Sequence, residues 1–167
     1  MKLPSITVWL LAFLVAIPTL AAAHDPKDHA TAASTQQVSE QAKPVVAVVE
    51  QFSSALKAGD LKRAAEALAD DVLILESGGA ERSREEYLGH HAIADAAFLG
   101  GAKIALQQRT ARIDGNMAWV ASESELQATE DGKPMTLLST ETMILHKTAD
   151  GWRIVHIHWS SRPKKGT

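Results

Sequence analysis

The stretch Gly151-Trp152-Arg153-Ile154-Val155-His156-Ile157-His158-Trp159-Ser160-Ser161 reads as a long strand opened by a turn. Side chains alternate faces along a strand. Trp152, Ile154, His156, His158 and Ser160 are therefore predicted to share one face, and Arg153, Val155, Ile157, Trp159 and Ser161 the other. Neither face is purely polar, so both are predicted to be at least partly covered. Two histidines and a serine in line on a half-buried face make this strand the first place to look for chemistry. The alternation alone leaves open which face is concave.

Upstream of it lie three more strand-like runs, from Lys103 to Ile113, Met117 to Ala128 and Met135 to Lys147. The turns between the four runs contain Asp114-Gly115, Asp131-Gly132 and Asp150-Gly151, a strong hairpin signal. Four long strands in a meander must twist and curl.

The first half is helical with one strand. Pro44 suits a first helical turn, and Val45, Val48, Val49, Phe52, Ala55 and Leu56 follow at helical spacing. Gly59 ends that helix and Asp60 can cap the next, which carries Leu61, Ala64, Ala65 and Leu68. Val72 to Glu76 is a short buried strand ended by Ser77-Gly78-Gly79. Ser83-Arg84-Glu85-Glu86 is a capping box that opens a third helix, predicted to run to about Leu99. Its inner face is predicted to carry Tyr87, His91, Ala94 and Phe98, with Asp95 one turn from His91. Helices gathered on one side of a mostly antiparallel sheet make an α+β domain.

The 167 residues fit one domain, with 46% hydrophobic and 22% charged residues as in ordinary globular chains. A formal net charge of −3 and the lack of a Lys/Arg cluster argue against nucleic acid as partner. There is no cysteine, hence no disulfide framework and no thiol chemistry. Lys2, the uncharged run Ile6 to Ile17 and Ala21-Ala22-Ala23 read as a secretory signal peptide over 1–23. The mature chain is thus expected to be secreted or periplasmic and free of the membrane, beginning at His24. Residues 24–43 are polar without apolar periodicity and read as a flexible linker, 44–162 as the folded domain, and 163–167 as a tail.

This element order resembles the NTF2-like superfamily, above all its SnoaL-like and DUF4440-type domains and the association domain of calcium/calmodulin-dependent kinase II. The words that carry the resemblance are Asp114-Gly115-Asn116-Met117-Ala118-Trp119-Val120, then Thr140-Glu141-Thr142, then the run from Asp150 to Ser160. It spans roughly Pro44 to Arg162. It implies a cone: three N-terminal helices packed on a curved, mostly antiparallel sheet that ends in a four-strand meander, with a pocket at the open end. Many members dimerise through the outer sheet face, so a homodimer is the implied assembly. Kinase association domains have Arg after the Glu-Thr pair, where this chain has Met143, which argues against an anion pocket of that kind.

Function in this superfamily ranges from isomerases, cyclases and hydrolases to pure binding domains, so the site must decide. The candidate residues are Glu76, Tyr87, His91, Asp95, Glu141, His156, His158 and Ser160. One expectation is a small-molecule pocket for an apolar or amphipathic ligand, lined by Tyr87, His91, Asp95, His156, Ser160 and Glu76, with no cofactor required. A second is an isomerase, cyclase or hydrolase with His158 as acid or base, oriented by Glu141 or Asp95. A third puts a divalent metal on His91, His156 and His158, since an H-x-H pair can present two imidazoles to one ion. A fourth is a dimeric assembly domain without ligand.

Overall fold

The computed structural model describes residues 35–130 and 132–165. The predicted signal peptide, the first part of the predicted linker and the last two residues lie outside the described residues. Within the rest of that linker the chain already has structure: strand β1 (Thr35–Gln37) and a 3-10 turn at Glu40–Ala42, whose Ala42 is buried. The ordered domain thus begins before Pro44. Ala42 and Val38 supply the apolar contacts that a purely polar linker would lack.

Helix α1 (Lys43–Lys57) starts with proline in its first turn and buries Val45, Val49, Phe52 and Leu56 along one stripe. Four such side chains removed from water contribute about 1.5–3 kcal/mol each, which outweighs the weak helix propensity of the valines. Gly59 takes φ +73° just past the helix end, a conformation open to glycine. Asp60 then caps α2 (Leu61–Ala65), its Oδ1 accepting from Arg63 N at 3.0 Å. Strand β2 (Leu68–Glu76) and the short β3 (Gly79–Glu81) form a hairpin.

The predicted third helix is two helices, α3 (Arg84–Gly89) and α4 (His91–Gly101), separated by His90 at φ −133°, ψ −86°. Ser83 caps α3 as expected, its Oγ accepting from Glu86 N at 3.0 Å. The return bond of the box falls one residue earlier than expected, from Arg82 N to Glu86 Oε2 at 2.6 Å. The break at His90 advances the phase of α4. Ala92, Asp95, Ala96 and Leu99 turn inward, while His91, Ala94 and Phe98 are exposed. This corrects the inner face expected from an unbroken helix.

The meander is β4 (Lys103–Asp114), β5 (Met117–Glu130), β6 (Lys133–Thr148) and β7 (Gly151–Pro163). Seven strands form one sheet in the order β1-β4-β5-β6-β7-β2-β3. β1 runs parallel to β4 and β2 parallel to β7; all other neighbours are antiparallel. The α+β cone expected from the resemblance is the observed fold. Its core lies between α1 and the concave sheet face, where Leu68, Ile74, Tyr87, Met143, Leu145, Ile154 and Ile157 are fully buried. Among the described residues no helix is long and apolar enough to cross a membrane.

One irregularity rearranges the final strand. Leu145 pairs with Ile154 and Ile144 with His156, so Val155 is an extra residue with no partner. Such a bulge resets the alternation of every side chain after it. Ile154 points inward, and after the bulge so do Ile157, Trp159 and Ser161, whereas His156, His158 and Ser160 stand on the opposite face. The single face expected to hold Trp152, Ile154, His156, His158 and Ser160 therefore does not exist. Ile157→Ala is expected to cost about 2–5 kcal/mol. His158→Ala should stay within about 0.5 kcal/mol of the parent. Urea unfolding of both variants checks this; comparable losses at the two positions would contradict the bulged register.

Candidate functional site

The concave face is built in cross-strand rows. Its deepest row is apolar: Ala111 of β4, Val120 of β5, Met143 of β6, Ile157 of β7 and Ile74 of β2 are successive partners. The next row out is Arg109, Ser122, Glu141, Trp159 and Glu76 on the same five strands. Beyond it Leu106, Ser124, Ser139 and Ser161 face one another, and then Ile104, Leu126, Leu137 and Pro163 form an apolar rim. The sheet side thus runs from apolar floor to charged row, to serine shelf, to apolar rim.

A cavity of about 230 Å³ opens onto the charged row, the serine shelf and the apolar rim, above the buried floor. Phe52, Leu56, Phe98 and Leu99 of the helices form its other wall, and Asp95 joins Glu76, Arg109 and Glu141 in lining it. Trp159 is its aromatic centre: it stacks on Phe52 with centroids 6.3 Å apart and meets Tyr87 at 6.2 Å.

The polar groups hold one another in place. Trp159 Nε1 donates to Glu141 Oε2 at 2.8 Å. Arg109 donates from Nε to Ser122 Oγ at 3.1 Å and from Nη1 to Glu50 Oε1 at 2.9 Å. A guanidinium this buried needs such partners, and Glu50 neutralises it from α1. The Tyr87 hydroxyl, fully buried, donates to Asp95 Oδ2 at 2.9 Å.

Three carboxyls in this cavity have raised proton affinity. Burial pushes Glu141 up, against the opposing pull of the Trp159 N–H, Arg109 and Ser122. Burial also raises Asp95, countered by the Tyr87 hydroxyl and by His91. Glu76 is raised by burial first and by the neighbouring Asp95 second, with His91 acting the other way. Burial, then the Asp95 charge, raises the Tyr87 phenol and keeps it a hydrogen-bond donor. Carboxyls of raised proton affinity inside a cavity suit ligand recognition or proton transfer.

Of the residues singled out in the sequence, Glu76, Asp95 and Glu141 line the cavity from its inner face, Ser160 borders it at the edge of β7 although its register is outward, and Tyr87 reaches it through Asp95. The histidines do not. His156 Nδ1 bonds the Leu73 carbonyl oxygen at 2.8 Å on the outer face. His158 is exposed there and stands opposite Thr142, while Glu141 stands opposite Trp159. His91 is exposed at the start of α4, where its Nδ1 meets the buried carboxylate of Glu81. The expected His158–Glu141 pairing is absent, and His91, His156 and His158 do not converge. Among the described residues no three His, Cys, Asp or Glu side chains are placed to hold a metal ion.

Sequence reasoning missed Arg109, Ser122, Ser124 and Ser139. The alternation Ala118, Val120, Ser122, Ser124, Leu126 carries the two β5 serines, since its apolar ends fix the inner face. Arg109 is hidden by a second register shift, between Leu106 and Gln108.

The fold and this cavity define an NTF2-like cone domain. More narrowly, the SnoaL-like domain model matches residues 45–163, and the chain belongs to that family. A protein from Shewanella frigidimarina whose assignment as a ketosteroid isomerase is provisional is 41% identical. That match covers 68% of this chain and 92% of its own, with a TM-score of 0.66. The calcium/calmodulin-dependent kinase II hub from S. rosetta shares the fold at 22% identity, covering 75% of this chain and 99% of its own, with a TM-score of 0.64. None of the curated proteins matches the chain significantly.

The three raised carboxyls fix the sign of the pH dependence. A carboxyl whose folded pKa exceeds its unfolded value stays protonated longer in the folded state, so stability falls as pH rises between the two. The decline should begin near the ordinary carboxylate value of 4.5 and continue through the raised folded one. Glu141→Gln removes that titration while its amide oxygen still accepts from Trp159. Thermal unfolding from about pH 4 to about pH 8 should show a shallower decline for the variant. Parallel curves would assign the pH dependence elsewhere.

Proposed function

We propose that the cavity binds a small apolar or amphipathic molecule. The observation that carries this reading is the cavity's make-up: aromatic and aliphatic walls around a few convergent polar groups already held in place. Its volume is below the roughly 300–1,000 Å³ of drug-sized sites, which favours a small ligand or one part of a larger molecule. The relationship to the Shewanella protein supports a cyclic ketone as one class to try. A ligand at a hundred times its Kd stabilises the folded state by about 2.7 kcal/mol. Thermal unfolding against a panel of ketosteroids and single-ring amphipaths should therefore show a clear rise in Tm for at least one class. A flat panel would count against the binding reading.

A second reading is favoured by Asp95 and Glu76, two neighbouring carboxyls of raised pKa beside the Tyr87 donor. These are groups for an isomerase-type proton transfer, with a carboxylate as base and a protonated carboxyl or the phenol as donor. The same panel in deuterated buffer distinguishes the two: exchange at a carbon next to a ketone, lost in Asp95→Asn, marks an enzyme. Stabilisation without exchange leaves a binding protein.

We further propose that the protein is exported and pairs as a homodimer through its convex face. Export is supported by the N-terminal pattern of charge, apolar run and small residues. Pairing is supported by Met117 and Trp119, large apolar side chains of that face exposed at 44% and 37%. Native mass spectrometry of the protein from an exporting host should give twice the mass of a chain beginning at His24. A full-length or monomeric species would remove one or the other proposal.

A further inference from the structure

We propose that the cavity is selective for an organic cation, a small amphipathic amine that enters with its ammonium group first and leaves its apolar tail at the rim. This rests on the cavity being a ligand site, and adds the charge and orientation of the ligand.

Charge comes first. The ionisable side chains lining the cavity are Glu76, Asp95, Glu141 and Arg109. Arg109 is already neutralised by Glu50 at 2.9 Å, with its Nε committed to Ser122. Three carboxyls from three elements, β2, α4 and β6, are left without a full positive partner. The remaining titratable groups near them are Tyr87 of α3, which donates to Asp95, and His91 of α4, whose Nδ1 meets Glu81. An anionic ligand would add repulsion to this set. A cation supplies the charge the cavity lacks.

Aromatic placement points the same way. Trp159 stands between Glu141 and Glu76 in the cross-strand row, with Phe52 stacked on it and Phe98 across the cavity. Rings and carboxylates around one space are the surroundings in which an alkylammonium gains both ring attraction and ion pairing.

The layering gives the direction. The carboxyl row lies next to the closed apolar floor. The shelf of Ser124, Ser139 and Ser161 can take ammonium N–H groups or a nearby hydroxyl. The outermost row, Ile104, Leu126 and Leu137, is apolar again. A molecule with a charged head and a short hydrocarbon tail matches this order only when the head is inside.

The test uses three probes of one shape: 4-phenylbutylamine, 4-phenyl-1-butanol and 4-phenylbutyrate, titrated calorimetrically into the mature protein. At about pH 8 the amine is still charged, since alkylamines titrate near 10.4. It should bind about tenfold or more tighter than the alcohol, with the acid weakest. The amine's advantage should shrink as the pH is lowered and the raised carboxyls take up protons. In the double variant Glu76→Gln, Asp95→Asn the amine should fall to the alcohol's affinity. An unchanged far-ultraviolet circular dichroism spectrum of the variant would report an intact fold. Alcohol or acid binding as tightly as the amine would overturn the cation preference and leave the pocket reading standing. Binding of none of the three at millimolar concentration would overturn both.

Discussion

Val155 has no partner on the neighbouring strand, and the concave face depends on that. The residues before it pair in one register with β6 and the residues after it in another. Without the extra residue, strict alternation from Ile154 would carry His156, His158 and Ser160 into the cone and turn Ile157 and Trp159 out. With it, Ile157 completes the apolar floor and Trp159 becomes the ring on which Phe52 and Tyr87 pack. The bulge is held from both sides. Ile154 N donates to the Ala67 carbonyl oxygen at 2.8 Å, and β2 follows the shift with its own irregularity between Leu68 and Leu73. Two buried isoleucines, one on each side of Val155, make any other register costly.

Once Trp159 is inside, its indole N–H needs an acceptor, because a buried donor left unpaired costs about 1–3 kcal/mol. Glu141 supplies it from the facing position on β6. That places a carboxyl at a depth where its charge is poorly hydrated, which is why its proton affinity rises. Tyr87 and Asp95 repeat this relation on the helix side. The polar character of the cavity is thus tied to the way its aromatic groups are satisfied, and deleting one partner would strand the other.

Much of the fold was legible from periodicity and turn residues. The three Asp-Gly pairs placed the hairpins, and the strands begin and end within a few residues of the expected limits. Gly59 and Asp60 marked the first helix junction because each performs a local task that only a few residues can. Glu141 was legible too, since Leu137, Ser139, Glu141, Met143 and Leu145 alternate without interruption. What was not legible came from single-residue shifts of phase: Val155 on β7, the shift between Leu106 and Gln108 on β4, and His90 between α3 and α4. Neither strand shift has a glycine or proline to announce it, and at His90 the only sign is Gly89, a residue that a helix interior can also hold. Each is set by tertiary packing, which local pattern does not encode.

The two shifts at His90 and Val155 act together on chemistry. An unbroken helix would have aimed His91 and Ala94 at the sheet, and an unbulged strand would have met them with His156 and His158. That arrangement would have favoured imidazole chemistry. The break turns Asp95 inward, and the bulge turns the histidines out and Trp159 in. The interior is left with carboxyls, a phenol, hydroxyls and rings, and with one guanidinium already paired. Such a set offers hydrogen-bond acceptors, carboxyl protons and negative charge, but no neutral imidazole to shuttle a proton near pH 7. Under the proposed binding role, selection would rest on carboxyl electrostatics in apolar surroundings, where a modest charge on a ligand counts for more than it would in water.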